Sequence, residues 1–115
     1  MSEIIRNILV YIDGSEQTVL AAHYAVGLAK TLHADLSALF VVNTQALGTL
    51  VKSRIFLEDE EMEYRNDLNA DAERYLHHVQ KIAQAKDVRI TLVNKSGSVS
   101  GEIKKYVKEN NVDLL

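Results

Sequence analysis

The stretch that decides the fold is residues 8–15, which read Ile8-Leu9-Val10-Tyr11-Ile12-Asp13-Gly14-Ser15. Its first five residues are all apolar, whereas a strand with one solvated face would alternate apolar and polar residues. We therefore expect a strand that is covered on both faces. Asp13 and Gly14 are residues typical of turns, and Ser15 is a typical helix N-cap. The strand is expected to stop there and a helix to follow.

Three helices are predicted from apolar residues that recur at steps of three and four. The first covers about residues 17–33, the second about residues 60–86, and the third begins at Val99 and ends near Asn110. The stripe that we expect the first helix to bury consists of Leu20, Tyr24, Ala25, Leu28, Ala29 and Leu32. The stripe of the second consists of Leu68, Ala72, Tyr75, Leu76, Val79, Ile82 and Ala83.

Further strands are predicted between these helices. Residues 36–42 are apolar almost throughout and predict a second buried strand. Val88, Ile90 and Leu92 alternate with other residues, which predicts a partly exposed third strand that ends before a turn at residues 96–98. Residues 112–115 look like the beginning of a fourth strand. Residues 43–57 show no clear period and predict a loop that includes at most a short helical piece.

This alternation of strands and helices implies parallel pairing with right-handed crossovers. The expected fold class is therefore α/β, an open parallel twisted sheet with helices on both faces. Residues 1–115 contain no linker or repeat and are expected to form a single domain, which ends inside its fourth strand.

Composition excludes several classes of protein. The 115 residues are 47% hydrophobic, include no cysteine and carry a net charge of −3. Disulfide scaffolds and thiolate metal sites are thus excluded, and the mild acidity argues against binding nucleic acid. No apolar run approaches the roughly 20 residues of a membrane span, and no secretory leader is visible. We expect a cytoplasmic protein that binds neither nucleic acid nor a membrane.

The chemistry is expected at the end of the first strand, because open parallel sheets bind ligands at the carboxyl ends of their strands. The Asp13 carboxylate could accept hydrogen bonds from a ribose or an amino group. Gly14 would let a ligand approach the backbone, and the positive end of the next helix points to the same place. The alternative is that Asp-Gly-Ser is ordinary turn and cap chemistry. No metal-binding or catalytic group of residues stands out, since the adjacent His77 and His78 would point about 100° apart on a helix.

Four segments together resemble the universal stress protein family. They are residues 8–15, the alanine-rich helix that follows, residues 35–42, and the stretch from Val93 through Val99 and Ile103 to residues 112–115. The resemblance covers residues 6–115. It implies a sheet of order 3-2-1-4-5 and, in many members, an adenine nucleotide at the ends of strands one and four.

By position, the resemblance implies a nucleotide site formed by Tyr11, Asp13, Ser15 and Val41. Asp13 would face the adenosine, the backbone beside Tyr11 would pack near the base, and the main chain of Val41 would bind the edge of the base. The implied ligand is ATP, with or without Mg²⁺, bound by a homodimeric regulatory or stress-response protein that is not an enzyme. The alternative is a dimeric interaction module of the same fold that binds no nucleotide.

One part of the family pattern is missing from this sequence. Nucleotide-binding members have a glycine-rich stretch after the fourth strand, whose N–H groups hold the phosphates. None of the five glycines here, Gly14, Gly27, Gly48, Gly97 and Gly101, is placed to do this. Residues 96–101 are better explained by Ser98 or Ser100 capping the third helix. The sequence is either part of a protein of about 140 residues or a reduced domain that borrows a strand. We expect the 115-residue chain to bind ATP weakly or not at all.

Overall fold

The computed structural model describes residues 5–43 and 58–115. The elements, in chain order, are strand β1 (Asn7–Ile12), helix α1 (Glu16–Leu32), strand β2 (Asp35–Asn43), helix α2 (Glu58–Ala85), strand β3 (Ile90–Gly97) and helix α3 (Val99–Glu109). The predicted alternation of strands and helices is thus confirmed. The loop predicted for residues 43–57 lies outside the described residues, except for Asn43, which ends β2.

The strands form a parallel sheet in which β2 lies between β1 and β3. The β1–β2 register runs from Asn7 opposite Asp35 to Ile12 opposite Phe40. β3 begins and ends later than predicted, because its residues continue to pair with β2 as far as Gly97 opposite Asn43. The turn predicted at residues 96–98 therefore begins only after Gly97.

The C-terminal residues lie along the other edge of β1. Leu114 forms a parallel bridge with Ile8, and the Leu9 N–H donates a hydrogen bond of 2.9 Å to the Leu114 carbonyl. The Asp113 carboxylate accepts hydrogen bonds from the N–H groups of Arg6 and Asn7, which lower its pKa. A fourth segment beside β1 agrees with the predicted order 3-2-1-4-5 as far as the described residues extend. The order of the complete sheet stays a prediction.

The sheet is covered by helices on both faces, as predicted. Alternate β1 residues point to opposite faces. Ile8, Val10 and Ile12 belong to one core cluster, together with buried residues of α1 and α2. Leu9 belongs to a second cluster with Leu39, Val41 and partly buried residues of α3, among them Val99, Ile103, Tyr106 and Val107. The uninterrupted apolar run in β1 follows from this double burial.

The stripe predicted for α2 is confirmed. Its fully buried members are Ala72, Leu76, Val79 and Ala83, while Tyr75 and Ile82 are partly buried against the same core. The helix therefore rests on the sheet along the face that the spacing predicted.

The stripe predicted for α1 is largely wrong. The buried residues of this helix are Ala22, Ala25, Val26 and Ala29, whereas Leu20 is 57% exposed and Tyr24 74% exposed. Leu28 and Leu32 are also exposed. Side chains two residues apart on a helix point in directions about 200° apart, so Leu20 and Tyr24 lie on the side opposite Ala22. The small alanine face packs against the sheet, and a face with three leucines and a tyrosine points outward.

Two leucine-to-alanine substitutions test this assignment of faces. Leu39 is completely buried in the second core cluster, so Leu39→Ala should lower the free energy of unfolding by about 2–5 kcal/mol. Leu20→Ala makes the same chemical change on the exposed face of α1 and should cost less than about 0.5 kcal/mol. Urea denaturation measures both. A large loss of stability in the Leu20 variant would show that Leu20 is buried, as the sequence predicted.

Candidate functional site

Residues 13–15 turn the chain from β1 directly into α1. The Oδ1 atom of Asp13 accepts hydrogen bonds from the Ser15 N–H at 2.8 Å and from the Thr18 hydroxyl at 2.9 Å. Ser15 Oγ in turn accepts from the Thr18 N–H at 3.3 Å, so Ser15 is the N-cap of α1 as predicted. Gly14 has a φ of +85°, which residues with a side chain rarely adopt. The Asp-Gly-Ser turn is therefore closed by its own side chains.

The same hydrogen bonds keep Asp13 ionised. The Ser15 side chain lowers the pKa of Asp13 most, and the hydrogen bonds from the Ser15 N–H and the Thr18 hydroxyl lower it further, while partial desolvation opposes them. Burial raises the pKa of the neighbouring Tyr11, and the negative charge of Asp13 raises it further. At neutral pH the site thus presents a carboxylate beside an uncharged phenol.

One oxygen of the Asp13 carboxylate is left for a ligand. Both hydrogen bonds that close the turn go to Oδ1, and none to Oδ2 is found among residues 5–43 and 66–115, whose side chains the structure describes. The Asp13 side chain is exposed. The turn therefore fixes the direction of the carboxylate without occupying both of its oxygens.

The pairing of β1 with β2 ends one residue before Val41. The β1–β2 pairing ends at Ile12 and Phe40, and Val41 is the next residue of β2. Val41 still pairs with Lys95 of β3, but no described strand residue pairs with it on the β1 side. The Val41 side chain is 5% exposed and packs in the second core cluster, to which Tyr11 also belongs. The Val41 side chain is therefore not accessible to a ligand.

The structure thus brings together the four residues of the predicted site at the carboxyl ends of β1 and β2. It also shows that the turn-and-cap interpretation of residues 13–15 is correct, and this role leaves Asp13 Oδ2 available. The sequence analysis does not include Thr18 in the site. With Ser15 as the N-cap, Thr18 is the third residue of the helix, a position whose side chain often closes a capping box. Tyr75, which packs on Gly14, is predicted from the sequence to be a packing or interface residue.

Two other places in the fold have features of a binding site. A cavity of about 740 Å³ lies at the amino ends of the strands and is lined by residues that include Asn7, Asp35 and Ile90. Ligands of open α/β sheets bind at the opposite edge, where Asp13 lies. Ser98 caps α3 by accepting the Gly101 N–H at 3.3 Å, which confirms the predicted capping role for this residue.

The described part of the chain contains neither a metal-binding cluster nor a membrane-spanning helix. No three histidine, aspartate or glutamate residues there lie close enough together to hold a metal ion. None of the helices there combines the length and apolar character that crossing a bilayer requires.

Comparison with known proteins gives consistent matches. The model of the universal stress protein family matches residues 5–115. The chain is 31% identical over 109 residues to universal stress protein YxiE of Bacillus subtilis (strain 168), an alignment that covers 93% of this chain and 74% of that protein.

Solved structures share the fold. A universal stress family protein from Burkholderia pseudomallei superposes with a TM-score of 0.75 at 19% identity, covering 97% of this chain and 80% of the other. A universal stress protein in complex with cAMP gives a TM-score of 0.69 at 19% identity, covering 97% and 75%. At these identities the likenesses establish the fold.

Removing the Thr18 hydroxyl should change the titration of Asp13. In Thr18→Val the carboxylate loses a hydrogen bond to its charged form, so the pKa of Asp13 should rise toward that of an ordinary aspartate. NMR titration of the side-chain carboxyl carbon measures this pKa. Thr31→Val is the matched control, because Thr31 lies on the same helix and donates to the Gly27 carbonyl. An unchanged pKa in Thr18→Val would contradict the hydrogen-bonding scheme.

The lowered pKa of Asp13 also makes stability depend on pH. A carboxyl group with a lower pKa in the folded state stabilises the fold fully above its unfolded pKa, about 4, and loses this contribution as pH falls through the folded pKa. Asp13→Asn should therefore show a smaller loss of stability than the wild type between about pH 5 and pH 2. Urea denaturation across this range measures the difference. Parallel pH curves for the two proteins would contradict it.

Proposed function

Because the chain belongs to the universal stress protein family, we propose that it binds an adenine nucleotide at the carboxyl ends of β1 and β2. The observation that carries the proposal is the exposed, ionised Asp13 carboxylate at the carboxyl end of β1, held by the turn through Oδ1. The solved family structure in complex with cAMP supports the choice of an adenine nucleotide.

The charges of the site favour binding the adenosine end of the nucleotide. Asp13 Oδ2 can accept hydrogen bonds from ribose hydroxyls or from the adenine amino group, and its fixed direction limits the entropy lost on binding. The edge of the base is proposed to contact the backbone of Val41, the first β2 residue beyond the last β1–β2 pair. A phosphate beside Asp13 would be repelled, so the phosphates are expected to point away from this carboxylate.

We propose a regulatory or stress-response role without catalysis. The lowered pKa of Asp13 makes this carboxylate a weak general base, since an efficient base has a pKa near the operating pH. Slow hydrolysis of ATP, with or without Mg²⁺, is the most that we expect. A cytoplasmic location and a homodimer are part of the same proposal.

A second candidate function is that of an interaction module, which would need no nucleotide. The observation that favours it is the outward face of α1, where Leu20 and Tyr24 are 57% and 74% exposed. Exposed apolar groups of this kind are common at protein–protein interfaces. Nucleotide binding discriminates between the two functions.

Titration of the 115-residue chain with adenosine and with ATP, followed by NMR, tests the proposal. Adenosine should shift the amide signals of Tyr11, Ser15 and Val41, and Asp13→Asn should weaken its binding about tenfold through the loss of a charged acceptor. ATP should bind no more tightly than adenosine, because the sequence contains no glycine-rich phosphate-binding stretch of the family type.

Asp87→Asn is the matched control, because Asp87 is exposed and follows the C-terminal end of α2, at the opposite edge of the sheet. Its affinity for adenosine should equal that of the wild type. The proposed function would be wrong if neither ligand shifted any signal, or if Asp13→Asn bound adenosine as tightly as the wild type. Micromolar binding of ATP would show that phosphates are held by other groups.

A further inference from the structure

The ring of Tyr75 supports the Asp13 turn from α2. A β-carbon added to Gly14 would lie 2.6 Å from Cε2 and 2.7 Å from Cζ of Tyr75, far inside van der Waals contact. The aromatic ring therefore lies directly against the Gly14 backbone. Gly14 is required here both for this close approach and for its φ of +85°.

The same ring also contacts β2. Tyr75 and Phe40 are stacked, with ring planes 6° apart and centroids separated by 6.2 Å. Phe40 is the last residue of β2 that pairs with β1, and Val41 follows it. One side chain of α2 thus packs against both segments that line the candidate site.

Tyr75 contacts these two segments on the opposite face of the sheet from Tyr11 and Val41. Its ring packs in the core cluster of the face covered by α1 and α2, whereas Tyr11 and Val41 belong to the cluster under α3. The guanidinium of Arg74 lies 5.4 Å from the centre of the ring, on the solvent side of α2. The contacts with Gly14 and Phe40 are made by the flat ring of Tyr75.

We propose that Tyr75 is a positioning residue for the adenosine site: its ring, packed between Gly14 and Phe40, sets the separation of the Asp13 carboxylate from the Val41 backbone. This inference rests on the proposed function for its effect on binding. Its effect on the turn can be measured without any nucleotide. A ligand that is held at one end by Asp13 and at the other by Val41 requires these two groups at a fixed distance.

Three variants test the proposal. In Tyr75→Ala the turn loses its support, so the hydrogen bonds to Asp13 Oδ1 should weaken and the pKa of Asp13 should rise toward its ordinary value. Adenosine should bind about tenfold more weakly. Tyr75→Phe keeps the ring and should restore both properties. Tyr24→Ala removes a tyrosine that is 74% exposed on α1, and should change neither.

The readouts separate this proposal from a general loss of stability and from the proposed function. Tyr75→Leu keeps an apolar side chain without a flat ring, and serves if the alanine variant does not fold. A folded Tyr75→Ala or Tyr75→Leu with wild-type Asp13 pKa and adenosine affinity would overturn the positioning role. If the wild type bound no adenosine while the pKa of Asp13 still rose in the variants, the control of the turn by Tyr75 would stand and the proposed function would fail.

Discussion

The turn at Gly14 is the constraint on which the rest of the structure depends. A positive φ at this residue lets β1 end and α1 begin within three residues, and Asp13 and Ser15 satisfy the backbone groups that the turn exposes. If this turn were longer, α1 would not begin at the edge of the sheet with its positive end near the strand ends. The carboxylate that closes the turn is the same group that we propose as the adenosine acceptor.

The packing of α1 shows how the size of side chains decides a helix orientation. The chain contains two candidate stripes on this helix, one of large residues and one of small residues. The small stripe, Ala22, Ala25, Val26 and Ala29, is the buried one. Small side chains let the helix axis approach the sheet, which allows Val10 and Ile12 to reach the helix surface and fill the space between them. The leucines and Tyr24 are left on the outside, where they are available for contact with another protein.

Long-range packing connects the site to the second half of the chain. Tyr75 lies in the middle of α2, yet it contacts Gly14 in the first turn and Phe40 in the second strand. Through these contacts, the stability of α2 and the geometry of the Asp13 turn depend on each other. Substitutions on the buried face of α2 are therefore not neutral for a site that lies on other elements.

The sequence by itself determined the class of fold, the order of the elements and the position of the turn, because each depends on local patterns: the apolar run of residues 8–12, the periodicity of α2 and the N-cap at Ser15. Its resemblance to a family also supplied four residues, which lie at the carboxyl ends of β1 and β2 and in the turn that follows β1. Only the tertiary structure decided which stripe of α1 is buried, how far β3 extends and that Tyr75 packs on Gly14. These features depend on which surfaces meet across the sheet, and neighbouring residues in the chain carry no information about partners sixty positions away.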